Sequence, residues 1–220
     1  MDDTRAALAR WRGASWRVLE GWALLSLAVA LALLAAVWAV ASVSAPDPSG
    51  LHLAGVTRPA RAADLMPILF GNSLVLALHA LACVAGFIAG SSMPLTAAHH
   101  TGVWRRVHEL AGPFAILFVA GATLFSLVTQ AYVLGSFAST LSAQLGLSPA
   151  LLIVGLLPHA LPELTVLFLP LAAWTLASRR GRWDELLAAT AVTVAVAVPV
   201  LALSALVELW VSPDLLLALR

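Results

Sequence analysis

The chain has 220 residues, 61% hydrophobic and 10% charged, with a formal net charge of +1 and a mean hydropathy of +0.97. That composition lies outside soluble globular domains and inside the membrane class. The small charge, with no basic helix, zinc-finger spacing or aromatic RNA-binding motif, excludes nucleic acid as a partner. Cys83 is the only cysteine, so no intrachain disulfide exists, and its apolar setting marks it as a small packing residue.

The first segment, 1–21, mixes Arg5, Arg10, Arg12 and Arg17 with Trp11, Trp16, Val18 and Leu19. It reads either as a short amphipathic helix in the headgroup region or as a basic flank that sets topology; neither is a domain. A spanning helix needs about 20 apolar residues to cross ~30 Å of hydrocarbon. Five stretches meet that length: 22–43, 66–90, 113–137, 150–177 and 186–211. The first ends in Val43-Ser44-Ala45, like a cleaved signal peptide. Its apolar run exceeds the usual core of about 7–15 residues and Pro46 would follow the cut, so it reads as a retained anchor. Segment 44–65 holds Pro46, Pro48, Gly50, Gly55 and Pro59, which predict turns and loop, with a short interfacial helix near Arg58 to Leu65. The remaining four spans occupy 66–211, and 212–220 forms a tail. The expected fold is an all-α, polytopic membrane helix bundle.

Arginine placement sets the orientation, because short cytoplasmic loops carry the positive excess. With five spans, Arg5, Arg10, Arg12, Arg17, Arg105, Arg106, Arg179, Arg180 and Arg182 fall on one side, leaving Arg58, Arg61 and Arg220 on the other. The amino terminus is therefore expected in the cytoplasm and the carboxyl terminus outside. Arg105, Arg106, Arg179, Arg180 and Arg182 are placed to contact anionic lipid headgroups. His99, His100, His108 and Glu109 share a basic interfacial loop with Trp104, where surface histidines explain the composition better than a metal site.

The polar residues inside the apolar runs carry the functional signal. Pro158-His159-Ala160-Leu161-Pro162-Glu163 sits inside the fourth span, where a carboxylate implies a buried partner, an aqueous cavity or a functional site. His159 and Glu163 are one turn apart on one helix face. Pro162 cannot donate to the carbonyl of Pro158, so a kink or unwinding at Pro158 and Pro162 is expected, facing protein rather than lipid. In the second span Asn72 and His79 share a face. At about 1.5 Å per residue, His79 falls near the level of Glu163, while Asn72 sits closer to the external surface, somewhat above His159. The expected cluster is Asn72, His79, His159 and Glu163, with Thr129, Gln130, Thr190, Thr193 and Glu208 as outer members. Such a cluster can fix helix packing, conduct a proton or solute, or catalyse. No H-E-x-x-H helix, G-x-S-x-G elbow or phosphate-binding glycine loop accompanies it, so no enzyme, metal or cofactor is expected.

Four segments resemble the stage II sporulation protein M family of bacterial membrane proteins. They are Phe70-Gly71-Asn72-Ser73, Gln130-Ala131-Tyr132-Val133-Leu134-Gly135, Leu157-Pro158-His159-Ala160-Leu161-Pro162-Glu163 and Glu208-Leu209-Trp210-Val211-Ser212-Pro213. The resemblance spans 65–217; Ala160 stands where the family usually has glycine, and Gln130-Ala131 replaces asparagine and glycine. It implies a non-enzymatic, multi-pass protein of the bacterial cytoplasmic membrane, partnered by lipids and by other membrane proteins. The family's namesake anchors a peptidoglycan-remodelling complex, and relatives accompany membrane transport and bacteriocin-immunity systems. Two roles follow as expectations: a scaffold or subunit of a cell-envelope complex, or a small transporter or transport-complex subunit using buried His and Glu. Large apolar surfaces leave a homo-oligomer open.

Overall fold

The computed structural model describes residues 2–11, 15–97, 99 and 101–220, so Arg12 and His100 lie outside the described residues. In chain order the helices are α1 (Asp2–Trp11), α2 (Ser15–Val43), α3 (Leu65–Phe87), α4 (Met93–Ala97), α5 (Gly102–Leu145), α6 (Pro149–Leu167), α7 (Leu169–Arg179), α8 (Leu186–Leu206) and α9 (Ser212–Ala218). There is no strand among the described residues. Five helical runs are long and apolar enough to cross a membrane: Arg17–Val43, Ala62–Ala97, Gly102–Leu145, Pro149–Arg179 and Trp183–Ala218. The all-α expectation is met, and the chain is a multi-pass membrane protein.

Prolines decide where these runs deviate from regular helix, and they do so differently from the sequence expectation. α6 continues through both Pro158 and Pro162. The interruption comes instead at Phe168, at φ −84° and ψ −5°, just ahead of Pro170, which has no N–H to offer the carbonyl of Val166. Two π turns, Ile88–Ser92 and Val207–Val211, each end two residues before a proline. The Met93 N–H bonds Ile88 O ahead of Pro94, and the Ser212 N–H bonds Val207 O ahead of Pro213. Widening the helix there makes room for the ring and for the carbonyl it cannot serve.

α5 also departs from expectation. At 44 residues and about 1.5 Å per residue it is roughly 66 Å long, twice the hydrocarbon thickness. Trp104, Arg105, Arg106, His108 and Glu109 therefore lie on a helix rather than in a loop, with Arg105 Nε 2.7 Å from Glu109 Oε1 one turn on. Only 6% of its most apolar window is buried, so most of its apolar surface meets lipid or another chain.

The chain divides into two compact units. The first comprises Met1–Ser26, Leu74–Thr123 and Val166–Ala197. Here α1 is docked on its own protein: Ala7 and Trp11 are buried with Trp22, Leu169, Ala172, Ala173, Ala188 and Ala189. The Trp11 and Trp22 rings meet edge to face at 5.3 Å. Arg10 reaches Asp184 at 3.0 Å and Glu185 at 3.1 Å, and Arg182 also pairs with Glu185. Neither sequence reading of segment 1–21 anticipated this contact, which needs residues some 170 positions apart and so leaves no local pattern.

The second unit comprises Leu27–Ser73, Leu124–Thr165 and Val198–Arg220. Segment 44–65 is laced to the end of α5. Ser139 Oγ donates to Ser44 O at 2.7 Å, the Asp47 N–H donates to Thr140 Oγ1 at 3.0 Å, and the Gln144 amide both accepts from the Leu51 N–H at 2.9 Å and donates to Leu51 O at 3.1 Å. The Ser49 hydroxyl and N–H hold the Asp47 carboxyl below its ordinary pKa. A fork between Arg58 and Asp64, 2.8 and 2.6 Å, closes the segment onto a single 3-10 turn, Ala62–Asp64, at the foot of α3. Gly55, at φ +79°, permits the close approach to Pro213 and Leu209 O.

Small residues set the helix contacts, as expected where van der Waals packing drives association. A Cβ on Gly135 would lie 2.5 Å from Val40 Cβ, whereas one on Gly121 would meet nothing within 4 Å. Gly135→Leu should therefore destabilise the detergent-purified protein by ~1–3 kcal/mol through overpacking. Gly121→Leu should leave the thermal midpoint unchanged, as followed by fluorescence-detected size exclusion after heating.

Candidate functional site

One face of α6 carries Leu152, Leu156, His159, Ala160, Glu163 and Leu164, a helical spacing that brings both ionisable groups to the same side. In the second unit this face borders a cavity of about 390 Å³. Leu33, Leu34 and Val37 of α2, and Leu134, Phe137, Ala138 and Leu141 of α5, form its apolar walls. Leu51 and Leu53 of the segment joining α2 to α3 complete it, and Glu208 of the second π turn adds a carboxylate. Its volume is within the ~300–1,000 Å³ range of small-molecule sites.

His159 is 8% exposed, and its Nδ1 lies 2.6 Å from Ser212 Oγ. Ser212 itself is 2% exposed and does not line the cavity. The pair therefore orients the imidazole; it does not present a serine nucleophile. Nε2 makes no hydrogen bond to any described residue.

Glu163 sits between two polar neighbours. The Asn72 amide and the Glu208 carboxylate both lie within electrostatic range of it. The hydrogen bond is not closed: Glu163 Oε2 and Asn72 Nδ2 are both buried with no bonded partner. An unmet acceptor in such a place is expensive.

The four-residue cluster read from sequence is divided. Asn72, His159 and Glu163 all belong to the second unit. His79 belongs to the first, where Nδ1 donates to Leu167 O at 2.6 Å and the ring lies 5.6 Å from that of Phe168. Asn72 stands at Glu163 rather than somewhat above His159, and His79 at Leu167 rather than at Glu163. The register is displaced by one helical turn at His79 and by more than one at Asn72, because depth counted from approximate span ends carries errors of a few residues. The interruption at Phe168 also places the Leu167 carbonyl at the end of α6, where a ring N–H can reach it.

The outer residues sort unequally. Glu208 lines the cavity. Thr129 is exposed, and Gln130 Nε2 donates to Ser126 Oγ at 2.9 Å along its own helix. Thr190 and Thr193 each donate to the carbonyl one turn back, at 2.8 Å. Pro158 is exposed and Pro162 half-buried. Arg106, Arg179 and Arg180 are exposed, while Arg105 and Arg182 carry the ion pairs already described. Among the described residues no group of three His, Cys, Asp or Glu side chains is placed to hold a metal ion. No protein-family model, curated protein or solved structure matches the chain.

Sequence reasoning missed Ser212, Leu51 and Leu53. A serine before the proline that ends an apolar run was a usable signal for the first; a loop leucine carries none.

His159→Phe should leave the Ser212 hydroxyl buried without a partner and cost ~1–3 kcal/mol, much of it recovered in the His159→Phe/Ser212→Ala double variant. Chemical denaturation of the purified protein in mixed micelles reads this coupling. At the acidic pair, Glu163→Gln should be better tolerated than Glu163→Leu, since an amide still offers Asn72 an oxygen and leucine offers none; equal stability of the two variants would show that the pair contributes nothing to packing.

Proposed function

We propose that the chain is a non-enzymatic subunit of a bacterial cell-envelope or transport complex in the cytoplasmic membrane, related to the stage II sporulation protein M family. The observation that carries this reading is convergence. Asn72, the His159 and Glu163 segment, and the Glu208 to Ser212 segment are three of the four stretches in which the resemblance was seen. They are separated by up to 136 positions, from 72 to 208, yet their side chains gather in the second unit. The fourth stretch contributes Gly135, whose close approach to Val40 is a packing role.

A non-enzymatic role is supported by the burial of Ser212, the serine bonded to His159. The apolar surface of α5 offers room for other membrane proteins, as it does for lipid. The arginine distribution favours a cytoplasmic amino terminus.

A second reading, solute or proton transport by the chain alone, is favoured by one observation: two carboxylates and a histidine border a cavity. Affinity purification of the tagged full chain from native membranes in mild detergent separates the two. The subunit reading expects stoichiometric co-purification of other integral membrane proteins, lost on disrupting α5 surface residues such as Phe118 and Phe125. A chain that purifies alone and supports Glu163-dependent flux in proteoliposomes would replace it with the transporter.

A further inference from the structure

The cavity of the second unit has an unusual pairing of surroundings. Its walls are leucine, valine, isoleucine, phenylalanine and alanine, yet Glu163 and Glu208 both face it. Among the described residues no arginine lines it, and the chain contains no lysine. Two carboxylates beside an apolar space repel each other and are poorly solvated unless a proton or a cation sits between them. Glu163 borders the cavity and its buried Oε2 has no hydrogen-bond partner, so nothing among the described residues neutralises the carboxylate. A small hydrated cation would satisfy the carboxylates and leave the leucine walls wet; a neutral lipid tail would fill the walls and leave the carboxylates unmet. A cation with an apolar body suits both parts.

We propose that this cavity binds a hydrophobic amine, its ammonium group held by Glu163 and Glu208 and its apolar tail lying against the leucine walls between α2, α5 and α6. His159, fixed through Ser212, stands one turn from Glu163 on the same face of α6 and borders the path of the tail. Leu51 and Leu53, held in place by the Gln144 clamp on Leu51, close another wall. The ammonium can come from an aminophospholipid of the bilayer or from a diffusible amine. Binding needs no second protein, so this inference stands apart from the subunit reading.

The test uses the full chain in phosphatidylglycerol nanodiscs and three probes that share one alkyl chain with a diazirine near its end: a primary amine, an alcohol and a carboxylate. After irradiation, labelled peptides are mapped by mass spectrometry around Phe137 and Leu156. The amine should label them at least ~10-fold more than the alcohol, the scale of one desolvated charge pair. The E163Q/E208Q variant should fall to the alcohol level. The A160F variant keeps both carboxylates, fills the cavity and should also lose the label; it decides the matter if the double variant does not fold. Added phosphatidylethanolamine that competes identifies a lipid headgroup as the source, and failure to compete identifies a diffusible amine. Equal labelling by all three probes, or amine labelling that survives both variants, overturns the proposal.

Discussion

Hydrocarbon offers no hydrogen bonds, so every polar group in a membrane-spanning chain must find its partner within the protein or at a cavity. Most groups here obey that constraint by short routes. Thr165, Thr175, Thr190 and Thr193 return their hydroxyls to carbonyls of their own helices, and Cys83 Sγ donates to Pro170 O at 3.1 Å. His79 and His159 find partners on other helices. Among the described residues Ser26, Asn72, Glu163 and Trp174 of the spans each keep a buried polar atom without a partner, and of these Glu163 is the one that borders the cavity. The position of the candidate site therefore follows from the one carboxylate that packing leaves incomplete.

Proline distributes the irregularity that this requires. A proline inside a helix removes one N–H and crowds the carbonyl one turn back, but it does not dictate how the helix responds. α6 absorbs Pro158 and Pro162 without losing its helical run, so His159 and Glu163 keep a common face. The chain yields instead before Pro170, where the end of α6 meets His79, and before Pro213, where a π turn carries Glu208 and is followed at once by Ser212. π turns inside helices are often found at functional sites. In this chain the second one supplies a carboxylate to the cavity, and Ser212 directly after it supplies a hydroxyl to His159.

Much of the architecture was legible before any coordinates. Apolar length alone identified five spans, since bilayer thickness imposes a minimum run. The side-chain period of a helix placed His159 and Glu163 together, and the expense of a carboxylate in lipid marked that face as the one to watch. The site was less legible. His79 looked equivalent to Asn72 because both are polar residues on one face of α3, yet they serve different units. The wall supplied by Leu51 and Leu53, and the docking of α1 through Arg10, left no trace in any local pattern.

Composition and periodicity, then, were enough to establish that this chain is helical, that it crosses a membrane and that one face of its fourth span is polar, because each of these follows from the behaviour of single segments in lipid. Which polar groups meet was decided by tertiary structure alone. A displacement of a turn or more between two neighbouring helices hands Glu163 to Asn72 and Leu167 to His79, and no property of either helix by itself distinguishes that register from the next. The cavity has the same origin, since it is the space left among helices and a loop whose individual sequences are simply apolar.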